Sequence, residues 1–172
     1  SSDLVIDTTH SEVSFSIRHM VFAKVRGSFT RWSATVEGDE GIQSLQAAIS
    51  VDSIDTREAQ RDAHLKSPDF FDAAQFPQIL FQSTQIQGDT QKTFQVPGQL
   101  TIRNQTHPVT LSVEYTGGGK DPWGNQRRGY RATAQLDRRD FGLTWNQVLD
   151  LGGVLVGEKV EVELEIQMVR QG

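Results

Sequence analysis

The side chains that could do chemistry are few and scattered. The histidines His10, His19, His64 and His107 lie far apart, and no pair has the i,i+4 spacing that sets two imidazoles on one metal ion. Asp62 and Asp69 are seven residues apart and would share a face of an unbroken helix, but Pro68 intervenes. Helix capping or surface ion pairs explain these carboxylates better than an acid–base pair does. No Walker loop, GxGxxG, HExxH or GxSxG is present. Gly117-Gly118-Gly119 lacks the strand-to-helix context of a phosphate loop and reads as a flexible turn. Asn104-Gln105-Thr106 matches a glycosylation sequon and is more usefully read as a turn. The absence of cysteine excludes disulfides, thiolate metal sites and a cysteine nucleophile. What remains for catalysis is His64 with Asp62 or Asp69. The sequence calls for no metal and no cofactor.

The elements that must position these residues are strands. Val13, Phe15 and Ile17 alternate with polar neighbours, as do Leu45, Ala47, Ile49 and Val51, then Val109, Leu111 and Val113, then Ala132, Ala134 and Leu136. The clearest run is the last, where Val160, Val162, Leu164, Ile166 and Met168 alternate with Glu161, Glu163, Glu165 and Gln167. Period two is the signature of a strand with one wet and one dry face. Weaker strands fit 24–31, 32–38, 77–87 and 91–102, with Pro97 marking an edge or a bulge because it cannot donate to a ladder. The helix expected at 56–74 begins with Asp55 or Thr56 as cap and restarts at Ser67-Pro68, with Phe70, Phe71 and Phe76 as its apolar face. These long strands and a single helical segment predict an all-β fold, an antiparallel eight-stranded barrel in one domain over residues 1–172. A β-sandwich is the rival.

Charge and composition narrow the partners. A net charge of −5 argues against nucleic acid and against a polybasic grip on anionic lipid. No apolar run reaches the roughly 20 residues that span a bilayer as a helix. Ser1-Ser2-Asp3 carries no leader-like stretch, which leans to the cytoplasm, or to a periplasmic or secreted place if the chain is a processed form.

An eight-stranded barrel is either filled by its own side chains or holds one small ligand. Gly27, Ala47, Gly98, Ala132 and Ala134 on the dry faces suit both outcomes. If the barrel is hollow, its wall is expected to include Phe15 and Ile17, Phe29, Ile49, Phe81, Leu100, Leu111, Ala134, and Leu164 with Ile166. Arg18, Arg26, Arg61, His64 and Arg138 are candidates to meet a polar head group, against the plainer reading of surface or structural hydrogen bonding. Phe70, Phe71 and Trp145 would gate or brace the mouth.

Eight stretches in fixed order carry a resemblance: RHMVFAKVRGSF (18–29), SIDT (53–56), RDAHLKSPDFFD (61–72), FPQILFQST (76–84), LTIRNQTHPVTL (100–111), KDPWGNQR (120–127), DRRDFGLTWN (137–146) and GGVLVGEKVEVELEI (152–166). Together they resemble the YceI-like family of polyisoprenoid-binding, lipocalin-fold bacterial proteins. The resemblance implies a lipocalin-like barrel with a helical element near one end. It also implies a long-chain ligand such as a polyprenyl phosphate, a quinone or a related amphiphile, bound for carriage or storage without a catalytic centre. Asn104 stands where the family commonly has glycine, and Asp137 where it often has asparagine, which adds negative charge beside Arg138. The alternative is an enzyme acting on a prenyl or quinone compound through His64 with Asp62 or Asp69. An exposed sheet face also admits a homodimer.

Overall fold

Each strand offers one apolar face, and an antiparallel sheet made of such strands hides that face by curling on itself. The structure, a computed structural model, describes residues 4–19, 23–38, 42–68, 70–143 and 156–170. Its strands are β1 (Leu4–Ile6), β2 (Glu12–His19), β3 (Ala23–Phe29), β4 (Trp32–Glu37), β5 (Ser44–Ser50), β6 (Ile54–Asp55), β7 (Gln78–Ser83), β8 (Gln87–Gly88), β9 (Thr93–Ile102), β10 (Gln105–Lys120), β11 (Gln126–Asp137) and β12 (Val156–Arg170). One α-helix, α1 (Ala59–Leu65), lies between β6 and β7. The order across the sheet is β4-β5-β7-β9-β10-β11-β12-β2-β3-β6, with β1 on β12 and β8 on β9. Every pairing is antiparallel.

The all-β, lipocalin-like expectation holds, with a different strand count: twelve strands among the described residues, of which β1, β6 and β8 have only two or three residues. Among the described residues the ladder also has two ends, β4 and β6, rather than forming a continuous ring. The curl is completed by packing, with β1 lying against β4. The bend after β3 adds backbone bonds from Thr30 N–H to the Ser53 carbonyl (3.2 Å) and from Ser50 N–H to the Arg31 carbonyl (3.0 Å).

Turn chemistry fixes the register. Ile102 pairs with Gln105 across Arg103-Asn104, whose φ values are 52° and 63°. Two left-handed residues in a two-residue loop suit the twist of a hairpin, and asparagine tolerates the conformation. Of the sequon, Asn104 lies in the hairpin turn while Gln105 and Thr106 open β10. Pro97 sits in an interior strand, opposite Thr110. Its carbonyl accepts from Thr84 N–H at 2.9 Å, and its ring nitrogen faces the same side, where β7 has ended and β8 has not begun. The missing donor thus falls at a local gap. Gly117-Gly118-Gly119 departs from the expected flexible turn, because these glycines continue β10 past a register shift between Tyr115 and Gly117.

The helix is shorter than the expected 56–74. Arg57 has φ 65°, which stops a helix from starting at Thr56. The carboxylate of Glu58 caps instead, accepting from the N–H groups of Gln60 and Arg61. After Leu65 the chain winds into a compact loop, with Phe71 N–H bonded to the Leu65 carbonyl and Ala73 N–H to the Lys66 carbonyl, both at 2.9 Å. Asp72 at φ 53° breaks the helical path, so Phe70 and Phe71 are buried by a loop rather than by a second helix.

Candidate ligand-binding lumen

Inside the curl the apolar side chains form two clusters. One gathers Phe29, Val51, Ile54, Leu65, Phe70 and Phe71 beneath α1. The other gathers Val36, Phe94, Val96, Val113, Tyr130 and Met168 toward the opposite end. Leu100 and Leu164 pack against both. Between the clusters runs a cavity in which the centre of a water-sized sphere has about 180 Å³ to itself. One water needs about 10–15 Å³ by that measure, so this is far more than a packing void. All the surface it presents is apolar, and space of that kind stays dry.

All ten residues proposed for the wall reach the cavity: Phe15 and Ile17 from β2, Phe29 from β3, Ile49 from β5, Phe81 from β7, Leu100 from β9, Leu111 from β10, Ala134 from β11, and Leu164 with Ile166 from β12. Further wall residues, among them Trp32, Leu45, Phe94, Tyr130 and Met168, obey the same alternation and were open to the same reading. Ile54 and Leu65 reach it from the crossover around α1, where no period-two signal exists.

The residues assigned to a mouth divide differently. Phe70 and Phe71 lie in the wall, ring to ring at 5.0 Å, with Phe29 a further 6.4 Å from Phe71. They close the helical end from within rather than standing at a rim. Arg138 also contributes to the wall and is only 2% exposed. It sits in a 3-10 turn, Arg138–Phe141, and one guanidinium nitrogen donates to the Leu143 carbonyl at 2.6 Å. Arg61 turns to its own loop, donating from Nε to Thr56 Oγ1 and from Nη2 to the Thr56 carbonyl, both at 2.9 Å. Arg26 is exposed on the outer face, because it alternates with the inward position of Gly27; a mouth position for it is corrected. His64 is half-buried on α1. Trp145, Asp69 and the Arg18 side chain lie outside the described residues.

The acid–base alternative finds Asp62 already engaged, its Oδ1 accepting from Thr56 N–H at 2.9 Å and from the Thr56 hydroxyl. Asp137 accepts from Arg139 through its carboxylate and pairs with Lys159. The Arg139 guanidinium, then the Arg139 backbone N–H, and Lys159 hold its carboxyl well below the usual carboxylate range. Among the described residues no three histidine or carboxylate groups converge as a metal site would require.

At the end opposite α1 stands an ionic clasp. Asp7 Oδ2 accepts from Arg127 Nη1 at 2.9 Å and bonds His10 Nδ1 at 2.7 Å, while Asp7 Oδ1 accepts from the Thr9 hydroxyl at 2.6 Å. The bonds from Thr9, Arg127 and His10 hold the Asp7 carboxyl well below its ordinary range. Arg127 Nε also donates to Asp121 Oδ2 at 2.9 Å, and Asp121 Oδ1 accepts from the N–H groups of Trp123 and Asn125, each at 2.9 Å. The turn after β10 is thereby tied to the segment after β1.

A curled antiparallel sheet around an apolar lumen defines a lipocalin-like fold. A YceI-like domain spans residues 4–168, and the chain belongs to that family. A UPF0312 protein of Staphylococcus aureus is 36% identical over 94% of this chain and 94% of its own length. The crystal structure of Burkholderia cenocepacia BcnA superposes with a TM-score of 0.80 at 24% identity, covering 94% of this chain and 98% of its own. A polyisoprenoid-binding domain from Saccharophagus degradans, implicated in plant cell wall breakdown, superposes with a TM-score of 0.73 at 13% identity, covering 99% of this chain and all of its own.

Proposed function

We propose that this protein binds one long-chain isoprenoid amphiphile, a polyprenyl phosphate, a quinone or a similar molecule, in the lumen and sequesters or carries it without transforming it. The observation that carries this reading is a space of apolar surface flanked by both core clusters. Burying apolar surface gains about 25 cal/mol per Å², so several hundred Å² of chain would give on the order of 10 kcal/mol, from which immobilisation removes a large part. The chain supplies affinity with no need of a charged partner. The polyisoprenoid-binding domain of like fold supports an isoprenoid over other apolar chains, and the engagement of Asp62 with Thr56 speaks against an acid–base role for it.

Titration with octaprenyl phosphate and with a long-chain quinone tests the proposal. Saturable one-to-one binding without turnover is expected. A protein that takes up neither, or that converts either to product in a His64-dependent way, overturns it.

A further inference from the structure

Two wall positions are glycine, and neither glycine reaches the lumen, because an aromatic ring lies over each. A Cβ added at Gly27 would stand 2.4 Å from Phe15 Cζ and 2.8 Å from Phe15 Cε1. A Cβ at Gly98 would stand 2.5 Å from Phe81 Cζ. Phe15 pairs with Gly27 across β2 and β3, so both positions face the lumen, and the ring lies flat along the sheet where a side chain would otherwise be. Ordinary contact begins near 3.4 Å. Any larger residue at 27 must therefore lift the ring by about an ångström, and from a wall position the ring lifts toward the lumen.

We infer that Gly27 is a specificity-determining residue. By letting Phe15 recline, it sets the bore of the lumen beneath the helical end, wide enough for a methyl-branched chain rather than only a linear one. The inference rests on the lumen taking an apolar chain. It assigns to Gly27 a role that an unbranched-ligand site would not need, since a straight alkyl chain is thinner at every carbon that bears a methyl branch in a prenyl chain. Phe81 over Gly98 repeats the device near the other cluster. There the added Cβ would also stand 2.6 Å from the Gln82 carbonyl oxygen, so substitution at 98 disturbs the backbone and is the poorer probe. At 27 the close atoms all belong to side chains, Phe15 and the Thr56 methyl at 3.0 Å.

The test compares wild type, Gly27→Ala, and the double variant Gly27→Ala with Phe15→Leu, each first shown to melt cooperatively. The probes are geranylgeraniol, which is branched, and 1-hexadecanol, which is linear. For Gly27→Ala the expected result is at least a tenfold weaker affinity for geranylgeraniol and less than a threefold change for 1-hexadecanol. The double variant, lacking the ring, should return geranylgeraniol binding to within threefold of wild type. Equal losses for both probes, no loss, or no recovery in the double variant overturns the inference. Xenon-pressurised crystals separate this from the lipid-binding reading. Xenon beside Phe15 in wild type and in the double variant, but not in Gly27→Ala, upholds the bore-setting role even if wild type binds neither alcohol, a result that would sink only the proposed function. Xenon at that place in Gly27→Ala overturns the bore-setting role itself.

Discussion

The two ends of the lumen are closed by different physics. Beneath α1 the closure is aromatic: Phe15, Phe29, Phe71 and Phe70 follow one another with centroid separations of 5.5, 6.4 and 5.0 Å. Such rings gain from burial and from edge-to-face packing and respond little to salt or pH. At the opposite end the inner layer is again aromatic, with Phe94 and Tyr115 each against Tyr130. The outer layer, however, is the Asp7–Arg127–Asp121 clasp. Both ends carry a charged pair, but Asp137–Arg139 lies within one turn while Asp7–Arg127 joins segments 120 residues apart, so the loss of charge should loosen the clasp end more.

The largest effect is expected from filling the space both ends enclose. Ala134 faces the lumen from β11, and Ala134→Trp places an indole inside it. Loss of ligand binding by at least a hundredfold, with a cooperative melt retained, is expected by titration calorimetry. Undiminished binding would mean that the inward phase of β11 is misassigned.

The charged end should declare itself in acid. The Asp7 carboxyl titrates in the folded protein well below its unfolded value of 3.8. A depressed carboxylate contributes stability that is full above the unfolded value and is lost as pH falls through the folded one. Asp7→Asn should lower the melting temperature at pH 7, and its deficit against wild type should shrink as pH falls below about 4. A deficit that stayed constant from pH 7 to pH 3 would remove the clasp from the account. Substituting Phe71, at the other end, should give a deficit independent of pH over the same interval.

A smaller effect belongs to Gly142, which ends the 3-10 turn holding Arg138 and has φ 77° with open space around its missing Cβ. Gly142→Ala pays only left-handed strain, about 1 kcal/mol, read as a fall of about 2–4 °C in melting temperature. The smallest belongs to Trp123, 80% exposed at the tip of the β10–β11 hairpin. Trp123→Ala should leave both melting and ligand binding unchanged, and a change in either would show that this tip takes part in closing its end.

The comparison also explains what could be read from residue order. The wall was legible because period two is local: each of the ten wall residues is marked by its own neighbours. The clasp was not, because Asp7 and Arg127 are 120 residues apart and no spacing announces their meeting. The helix was overread because Asp55-Thr56 and Ser67-Pro68 both look like helix starts, whereas left-handed residues at 57 and 72 divide the segment into a short helix and a loop. Arg26 was misplaced because charge alone suggested a head-group contact, although its phase between Val25 and Gly27 sends it outward. Whether the interior was hollow could not be read at all. Glycines at 27 and 98 serve a plugged core and an open bore equally well until the rings that cover them are placed.

Native mass spectrometry of the purified protein, followed by organic extraction, tests the central claim most directly. One long-chain prenyl compound per protein, released by solvent and displaced in Ala134→Trp, is the predicted result. Protein that carries no such compound, and that accepts none when it is supplied in excess, would contradict the account.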